Sequence, residues 1–151
     1  MSISAIENDI ITKLKADLPE LEVTAYPERP SEYEFIHPLG AVLVQYDGGE
    51  ISGPKAVGFT VQERDLRFSV VSLSRNLRSH NGCYDILDRI RKSLLGLKTA
   101  GCRQVWEVSE SFADEQDGVW TYIQVFNVHT VQVQGTANYS QQDPQLESLF
   151  L

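Results

Sequence analysis

Residues 61–97 constrain the fold of this chain more than any other part of the sequence. They begin as a long alternating strand, continue through a polar turn that contains glycine, and end in an amphipathic helix. The strand starts with several charged residues but is apolar on both faces at Val70 and Val71. A strand that changes its buried face along its length usually bends or passes into the core of a neighbour. The pattern therefore favours a role in assembly over catalysis.

Two helices are predicted from apolar residues at helical spacing. In the first, Ser4 and Glu7 fit a capping box, in which each side chain satisfies a backbone N–H at the start of the helix. Its apolar face ends at Pro19 and consists of Ile6, Ile10, Ile11, Leu14 and Leu18. The second helix is predicted over residues 81–97. One face of it carries Cys83, Leu87, Ile90, Leu94 and Leu97.

Five strands are predicted, over residues 22–26, 41–46, 61–75, 105–113 and 119–133. Residues 27–38 contain three prolines and predict an irregular connection, and the glycine-rich residues 47–58 predict a long flexible loop. Residues 114–118 end in Asp-Gly and predict the connection of a hairpin. In the strand before it, Trp106, Val108 and Phe112 are expected to share one face.

The resulting element order is α-β-β-β-α-β-β. Because the strands cluster without regular βαβ units, the order predicts an α+β fold with a mainly antiparallel sheet flanked by two helices. We expect residues 1–133 to form a single domain and residues 134–151 to form a C-terminal extension or arm.

The composition restricts the possible functions. The chain has 151 residues, a net charge of −8 and a pI near 4.8. An acidic surface repels phosphates, which argues against sequence-independent binding of nucleic acid. The N-terminus does not have the pattern of a signal peptide, and no window has the length of a membrane span. Cys83 and Cys102 are interpreted as two reduced cysteines in a protein synthesised in a cytoplasm.

Known catalytic and ligand-binding motifs are missing from the sequence pattern. Pro54 separates Gly53 from Lys55, so this region lacks the spacing of a phosphate-binding loop. The carboxylates between residues 107 and 117 lack the regular offsets of a calcium loop and are interpreted as a solvated hairpin tip. His129 is interpreted as a sheet-surface or interface histidine. We therefore expect no enzyme activity, no catalytic residue, no metal and no cofactor.

Positive charge is concentrated around the central strand and the second helix. Two interpretations remain open: charge-complementary contacts between copies of the chain, or solvated faces. The residues concerned are Arg64, Arg67, Arg75, Arg78, Arg89 and Arg91.

Three segments, taken in order, resemble the tail-terminator proteins of Mu-like contractile phages. They are residues 11–48, 61–96 and 108–128, and the resemblance as a whole covers residues 10–133. Its most specific pieces are residues 61–68, which begin VQER, residues 75–78, RNLR, and residues 117–122, DGVWTY. The loop at 47–58 and the end at 134–151 carry no matching motif.

The resemblance implies a hexameric ring that docks on the last ring of a tail tube. Such a ring stops further addition of tube and sheath, and it offers a docking surface to the neck or connector at the capsid-proximal end of the tail. DNA would pass through it without specific binding, and no membrane is involved. The implied location is the virion tail, assembled in the host bacterial cytoplasm, and related defective particles (tailocins) use similar caps.

The residues expected at interfaces come from the two loops, the central strand and turn, and the C-terminal end. They are Gly48, Gly49, Ile51, Lys55, Arg75, Arg78, Asp114, Asp117, Trp120, Leu146, Leu149, Phe150 and Leu151. Two alternatives remain: another structural protein of the neck or baseplate, and a small-ligand-binding domain or enzyme that uses the carboxylate cluster.

Overall fold

A five-stranded mixed sheet carries the two helices of the described part of the chain. The structure, a computed structural model, describes residues 2–99 and 101–135. The elements are α1 (Ile3–Asp17), β1 (Glu22–Ala25), a 3₁₀ turn (Pro30–Glu32), β2 (Ala41–Ile51), β3 (Val61–Ser74), α2 (Cys83–Leu94), β4 (Trp106–Gln116) and β5 (Val119–Val133). The strand order is β1-β2-β3-β5-β4, and β1 and β2 form the parallel pair while the other pairs are antiparallel. The predicted fold class and element order are confirmed.

Both helices pack on the same face of the sheet. Alternate residues of β3, Leu66, Phe68 and Val70, point into the core between the sheet and the helices, as the period of two in a strand requires. The helices contribute apolar residues that their spacing predicted, including Ile6, Ile10, Leu14, Ile90 and Leu94, together with Ile86, which was not part of the predicted face of α2. Burial of this shared cluster from water is the main force that holds the two layers together.

Each helix differs from its predicted bounds at the N-terminus. Helix α1 begins two residues earlier than the capping-box pattern indicated, because Ser2 is the N-cap and its hydroxyl accepts a hydrogen bond from the Ala5 N–H at 3.0 Å. Helix α2 is shorter than residues 81–97. Gly82 is its N-cap, and Leu95 leaves helical geometry just before Gly96, whose φ of +83° is a left-handed conformation suited to glycine.

Strand β2 runs further than predicted, into the glycine-rich segment. It continues through Ile51, with Asp47 as an extra residue where the pairing with β3 shifts between Tyr46 and Gly48. Such a bulge lets the strand bend and continue. The prediction of a loop over residues 47–58 is therefore wrong for its first five positions, and the connection to β3 covers residues 52–60.

The β4–β5 hairpin is also longer than predicted. Strand β4 reaches Gln116, so residues 114–116 belong to the strand, and Asp117 and Gly118 alone form the turn. Their φ angles of +54° and +82° are typical of a tight hairpin turn built on Asp-Gly. The pairing of Gln116 with Val119 directly before and after the turn sets this length.

Two bulges in β4 overturn the prediction that Trp106, Val108 and Phe112 share one face. Val108 and Ala113 are extra residues at the register shifts between β4 and β5. Directly opposed residues share a face of the sheet. Trp106 lies opposite Asn127 and Phe112 lies opposite Tyr122, so the two aromatic side chains are on opposite faces.

The two connections that were expected to make contacts lie at opposite ends of the sheet. Strand β3 pairs with β5 in unbroken register, from Val61 opposite Val133 to Ser74 opposite Trp120. Residues 52–60 precede Val61, at what we call the loop end, and Asp117-Gly118 precede β5, at what we call the turn end. The long central strands therefore separate two distinct surfaces.

Candidate assembly surface

Strand β4 forms an open edge of the sheet. Nine of its eleven residues pair with β5 on one side, and within residues 2–99 and 101–135 no strand pairs with its other side. All but one of its residues are exposed, including Trp106 at 47%, Val108 at 38% and Phe112 at 53%. An open edge with exposed aromatic side chains is a ready place for another polypeptide to bind.

The edge is acidic as well as apolar. Strand β4 carries Glu107, Glu110, Asp114 and Glu115, and it has no Lys or Arg. Two copies of this edge placed side by side would oppose like charges, which is unfavourable. The charges therefore disfavour direct pairing of β4 with β4 of a second copy.

A row of aromatic side chains lies on the helix-facing side of the hairpin, near the turn end. The Phe112 ring contacts the rings of Tyr122 and Trp120, with centroids 5.6 and 6.0 Å apart. Tyr122 in turn meets Tyr84 of α2 edge-on at 6.3 Å, and the Arg78 guanidinium lies over the Tyr84 ring at 5.7 Å. We call Tyr84, Phe112, Trp120 and Tyr122 the aromatic row.

Arg91 joins α2 to β4 beside this row. Its Nε lies 3.1 Å from Oε1 of Glu107, its Nη1 lies 2.9 Å from Oδ1 of Asp88, and its Nη2 binds Glu110. Hydrogen bonds to Asp88 and, to a smaller extent, to Glu107 raise the pKa of Arg91. Three carboxylates around one guanidinium leave an excess of negative charge at this point of the surface. We call Arg91, Asp88, Glu107 and Glu110 the Arg91 cluster.

Behind the Arg91 cluster, Gln124 is a fully buried polar residue. Its side-chain amide donates to the Leu87 carbonyl at 3.2 Å and to Oε2 of Glu107 at 3.1 Å. Buried polar groups are stable when they are hydrogen-bonded. Gln124 therefore binds one carboxylate oxygen of Glu107, Oε2, while Arg91 binds the other, Oε1.

An open cleft of about 390 Å³ lies between α2 and the hairpin. Aromatic and aliphatic side chains form its walls, and the charged groups of the Arg91 cluster form its rim. The lining residues are Tyr84, Leu87, Asp88, Arg91, Glu110, Ser111, Phe112 and Tyr122. No pattern in the sequence predicted this cleft, because it needs α2 and β4 to lie side by side.

The sheet face away from the helices carries a separate polar network. Asp65 Oδ1 accepts a hydrogen bond from the Asn127 amide at 3.0 Å and lies 2.9 Å from Nδ1 of His129. The Nε of Arg67 donates to the side-chain Oδ1 of Asn127 at 2.8 Å. Burial by itself would raise the pKa of Asp65, but the hydrogen bonds from Asn127 and His129 outweigh it and lower the pKa. His129 is thus a sheet-surface residue held by carboxylates.

The expected interface residues do not form one site. Gly48, Gly49 and Ile51 lie in β2 rather than in a loop, and Ile51 is 53% exposed. Lys55 lies in the connection at the loop end, 3.4 Å from Glu63. At the turn end are Arg75, Arg78, Asp114, Asp117 and Trp120. Leu146, Leu149, Phe150 and Leu151 lie outside the described residues.

The predicted carboxylate cluster is divided by the hairpin. Glu107 and Glu110 bind Arg91, whereas the Glu115 carboxylate accepts a hydrogen bond from the Gly118 N–H at 2.9 Å and belongs to the turn. The interpretation as a solvated tip therefore fits the outer residues and not Glu107. Within residues 2–99 and 101–135, no group of three or more His, Cys, Asp or Glu side chains is placed to hold a metal ion.

The arginines mostly have partners inside the chain. Arg89 binds Glu20 and lies 3.9 Å from Asp85. Arg75 donates to the backbone carbonyls of His37 and Phe35 at 2.6 and 3.0 Å, so it fastens the proline-rich connection to β3. Of the arginines around the central strand and the second helix, Arg89 and Arg91 are thus ion-paired with carboxylates of the same chain.

Cys83 and Cys102 are both buried, whereas the sequence placed only Cys83 in the core. Burial raises the pKa of the Cys83 thiol to about 11, so this thiol is protonated at neutral pH. Neither helix of the described chain is long and apolar enough to cross a membrane.

Comparison with known proteins places the chain by its sequence family and by its fold. A search of curated proteins found no match. The fold is similar to that of a chain in the solved structure of the virion of a native gene transfer agent (GTA) particle, with a TM-score of 0.52 and 13% identity. The match covers 87% of this chain and 96% of that chain, and at this identity it concerns the fold. The model of the Gp37 protein family matches residues 10–150, so this chain belongs to the Gp37 protein family.

Proposed function

We propose that this chain is a structural protein of a phage-type particle. The observation that carries the proposal is the fold shared with a chain of the GTA virion, which spans nearly the whole of that chain. The exposed edge of β4 and the exposed aromatic side chains beside it suit a protein that works in contact with others. The proposal assigns no catalytic residue, metal or cofactor to the chain.

More specifically, we propose that it is the tail terminator. In this role a ring of copies, six by the resemblance, binds the capsid-proximal end of the tail tube, stops the addition of tube and sheath, and presents a surface to the neck or connector. A cap of this kind needs one surface that fits the growing end and a different surface that does not template another tube ring. The loop end and the turn end of the sheet are separate and chemically different, which supports this arrangement.

Lateral contacts between copies would close the ring. The acidic β4 edge disfavours symmetric pairing with itself, so the contacts between copies are proposed to be head-to-tail. Head-to-tail contacts that close leave no free lateral interface, which limits the assembly to a ring. DNA would pass through a ring with this net negative charge without specific binding.

Electron microscopy of particles made without this protein tests the proposal. We expect tails of uncontrolled length that are not joined to heads, with normal length and joining restored by the gene in trans. Labelling of the protein in wild-type particles is expected at the capsid-proximal end. Tails of uniform length joined to heads in the deletion strain would contradict the terminator role, and label at the baseplate would support a baseplate protein instead.

A further inference from the structure

We infer that the cleft between α2 and the β4–β5 hairpin binds a segment of a different protein, in which an apolar side chain stands next to a lysine or arginine. The inference rests on the proposed function only in taking that protein to be another component of the same particle. Three observations carry it: the exposed aromatic walls, the negative rim, and the acidic charge of β4 and of residues 136–151.

The walls of the cleft are suited to an apolar anchor. Phe112 is 53% exposed and Tyr84 is 43% exposed, although both rings contact Tyr122. Aromatic side chains of this kind are enriched among the residues that dominate binding energy at protein interfaces. The cleft volume of about 390 Å³ is sufficient for a large side chain and its flanking backbone.

The rim selects the charge of the partner. Asp88 and Glu110 line the cleft together with the single guanidinium of Arg91, so the rim carries more negative than positive charge. Asp88 keeps 65% of its side chain exposed and can bind a second cation without leaving Arg91. A lysine or arginine beside the apolar anchor would complement this charge, whereas an acidic segment would be repelled.

Segments of this chain fit the cleft poorly. Strand β4 of a second copy carries only acidic charges, and residues 136–151 contain Asp143 and Glu147 but no Lys or Arg. Both would place carboxylates against the rim. Residues 55–57 of a second copy combine Lys55 with the exposed Val57, but Lys55 already lies 3.4 Å from Glu63 of its own chain. We therefore assign the cleft to a different protein, with a basic and apolar segment.

Fluorescence anisotropy with three dye-labelled ten-residue peptides tests the inference on the full chain. The peptides share one sequence except at the centre, which is Lys-Phe-Lys, Glu-Phe-Glu or Lys-Ser-Lys. We expect the Lys-Phe-Lys peptide to bind at least tenfold more tightly than either of the others. Its affinity is expected to fall with added salt, because part of the selectivity is electrostatic.

Two variants locate the site. Asp88→Lys is expected to reverse the charge preference, so that the Glu-Phe-Glu peptide binds more tightly than the Lys-Phe-Lys peptide. Phe112→Ser is expected to weaken the Lys-Phe-Lys peptide at least tenfold. Glu28→Lys, which changes an exposed acidic residue outside the cleft, serves as the matched control and is expected to leave binding unchanged.

Equal binding of the three peptides, or binding unaffected by Asp88→Lys and Phe112→Ser, would overturn the inference. A monomer–dimer equilibrium that Phe112→Ser abolishes would also overturn it, because the cleft would then bind a second copy. These results are independent of the terminator role. Normal tails in the deletion strain would remove that role and leave the peptide result standing, and the reverse also holds.

Discussion

The Arg91 guanidinium on α2 and the Glu107 carboxylate on β4 lie 3.1 Å apart and tie the second helix to the edge strand. Glu107 is only 16% exposed, so this ion pair is shielded from water more than an ordinary surface pair. Together with the Arg91–Glu110 pair and the contact between the Tyr84 and Tyr122 rings, it links the exposed hairpin to the helix beside the cleft.

Replacement of Arg91 by alanine is expected to lower the free energy of unfolding by roughly 1–2 kcal/mol, between the values for exposed and buried ion pairs. The loss follows because Glu107 would keep its charge without its cation. Urea unfolding measures the change, and hydrogen exchange of the β4 amides is expected to become faster. Lys92→Ala, at an exposed neighbouring position, is the control with little expected effect. Equal stability of the two variants would show that Arg91 does not stabilise the hairpin.

Gly49→Ala is expected to destabilise the protein by about 1–3 kcal/mol, as overpacking does. A Cβ at this position would lie 2.3 Å from the Asp65 backbone oxygen of the neighbouring strand, and backbone cannot move aside easily. Thermal unfolding measures the effect. Gly53→Ala is the matched control, since a Cβ there meets nothing within 4 Å. A Gly49→Ala variant as stable as Gly53→Ala would mean that β2 and β3 do not approach so closely.

The Asp65 network predicts a loss of stability in acid. Because the pKa of Asp65 is lowered in the folded state, the unfolded chain takes up a proton first as the pH falls below the ordinary value of 3.8. Stability from this group is complete above that value and is lost as the pH falls through the folded pKa. Hydrogen bonding to Lys55 lowers the pKa of Glu63 and adds a loss of the same sign.

Urea unfolding between pH 5 and pH 2 tests this dependence. Asp65→Asn is expected to have a shallower loss of stability in acid than the wild type. Asp9→Asn, which changes an exposed residue of α1, is expected to follow the wild-type curve. Identical slopes for wild type and Asp65→Asn would contradict the role of Asp65.

Deletion of residues 144–151 is expected to weaken ring formation or tube capping and to leave the domain folded. These residues include Leu146, Leu149, Phe150 and Leu151, and leaving such side chains in water forfeits about 1.5–3 kcal/mol each. These residues lie outside the described part of the chain. Circular dichroism measures folding, and analytical ultracentrifugation measures assembly. A truncated chain that assembles and caps like the full one would contradict the proposal of an arm.

Local patterns were sufficient for most of the fold. The helical spacing of Ile6, Ile10 and Leu14, the stop at Pro19 and the alternation in β3 depend on residues close together in the chain, so the sequence alone predicted the elements and their α+β order. The same holds for the Asp-Gly turn, whose backbone angles only a few residues adopt without strain.

The extent and the facing of the edge strands depended on the tertiary structure. Glycines at 48 and 49 indicate a loop by composition, yet pairing with β3 keeps them in β2 because the neighbouring strand supplies hydrogen bonds that local sequence does not show. The bulges at Val108 and Ala113 arise from the register with β5, and they place Trp106 and Phe112 on opposite faces. The sequence determined which residues are apolar or charged; only the packing of α2 on the sheet beside the hairpin decided that Arg91 meets Glu107 and that an aromatic cleft opens beside them.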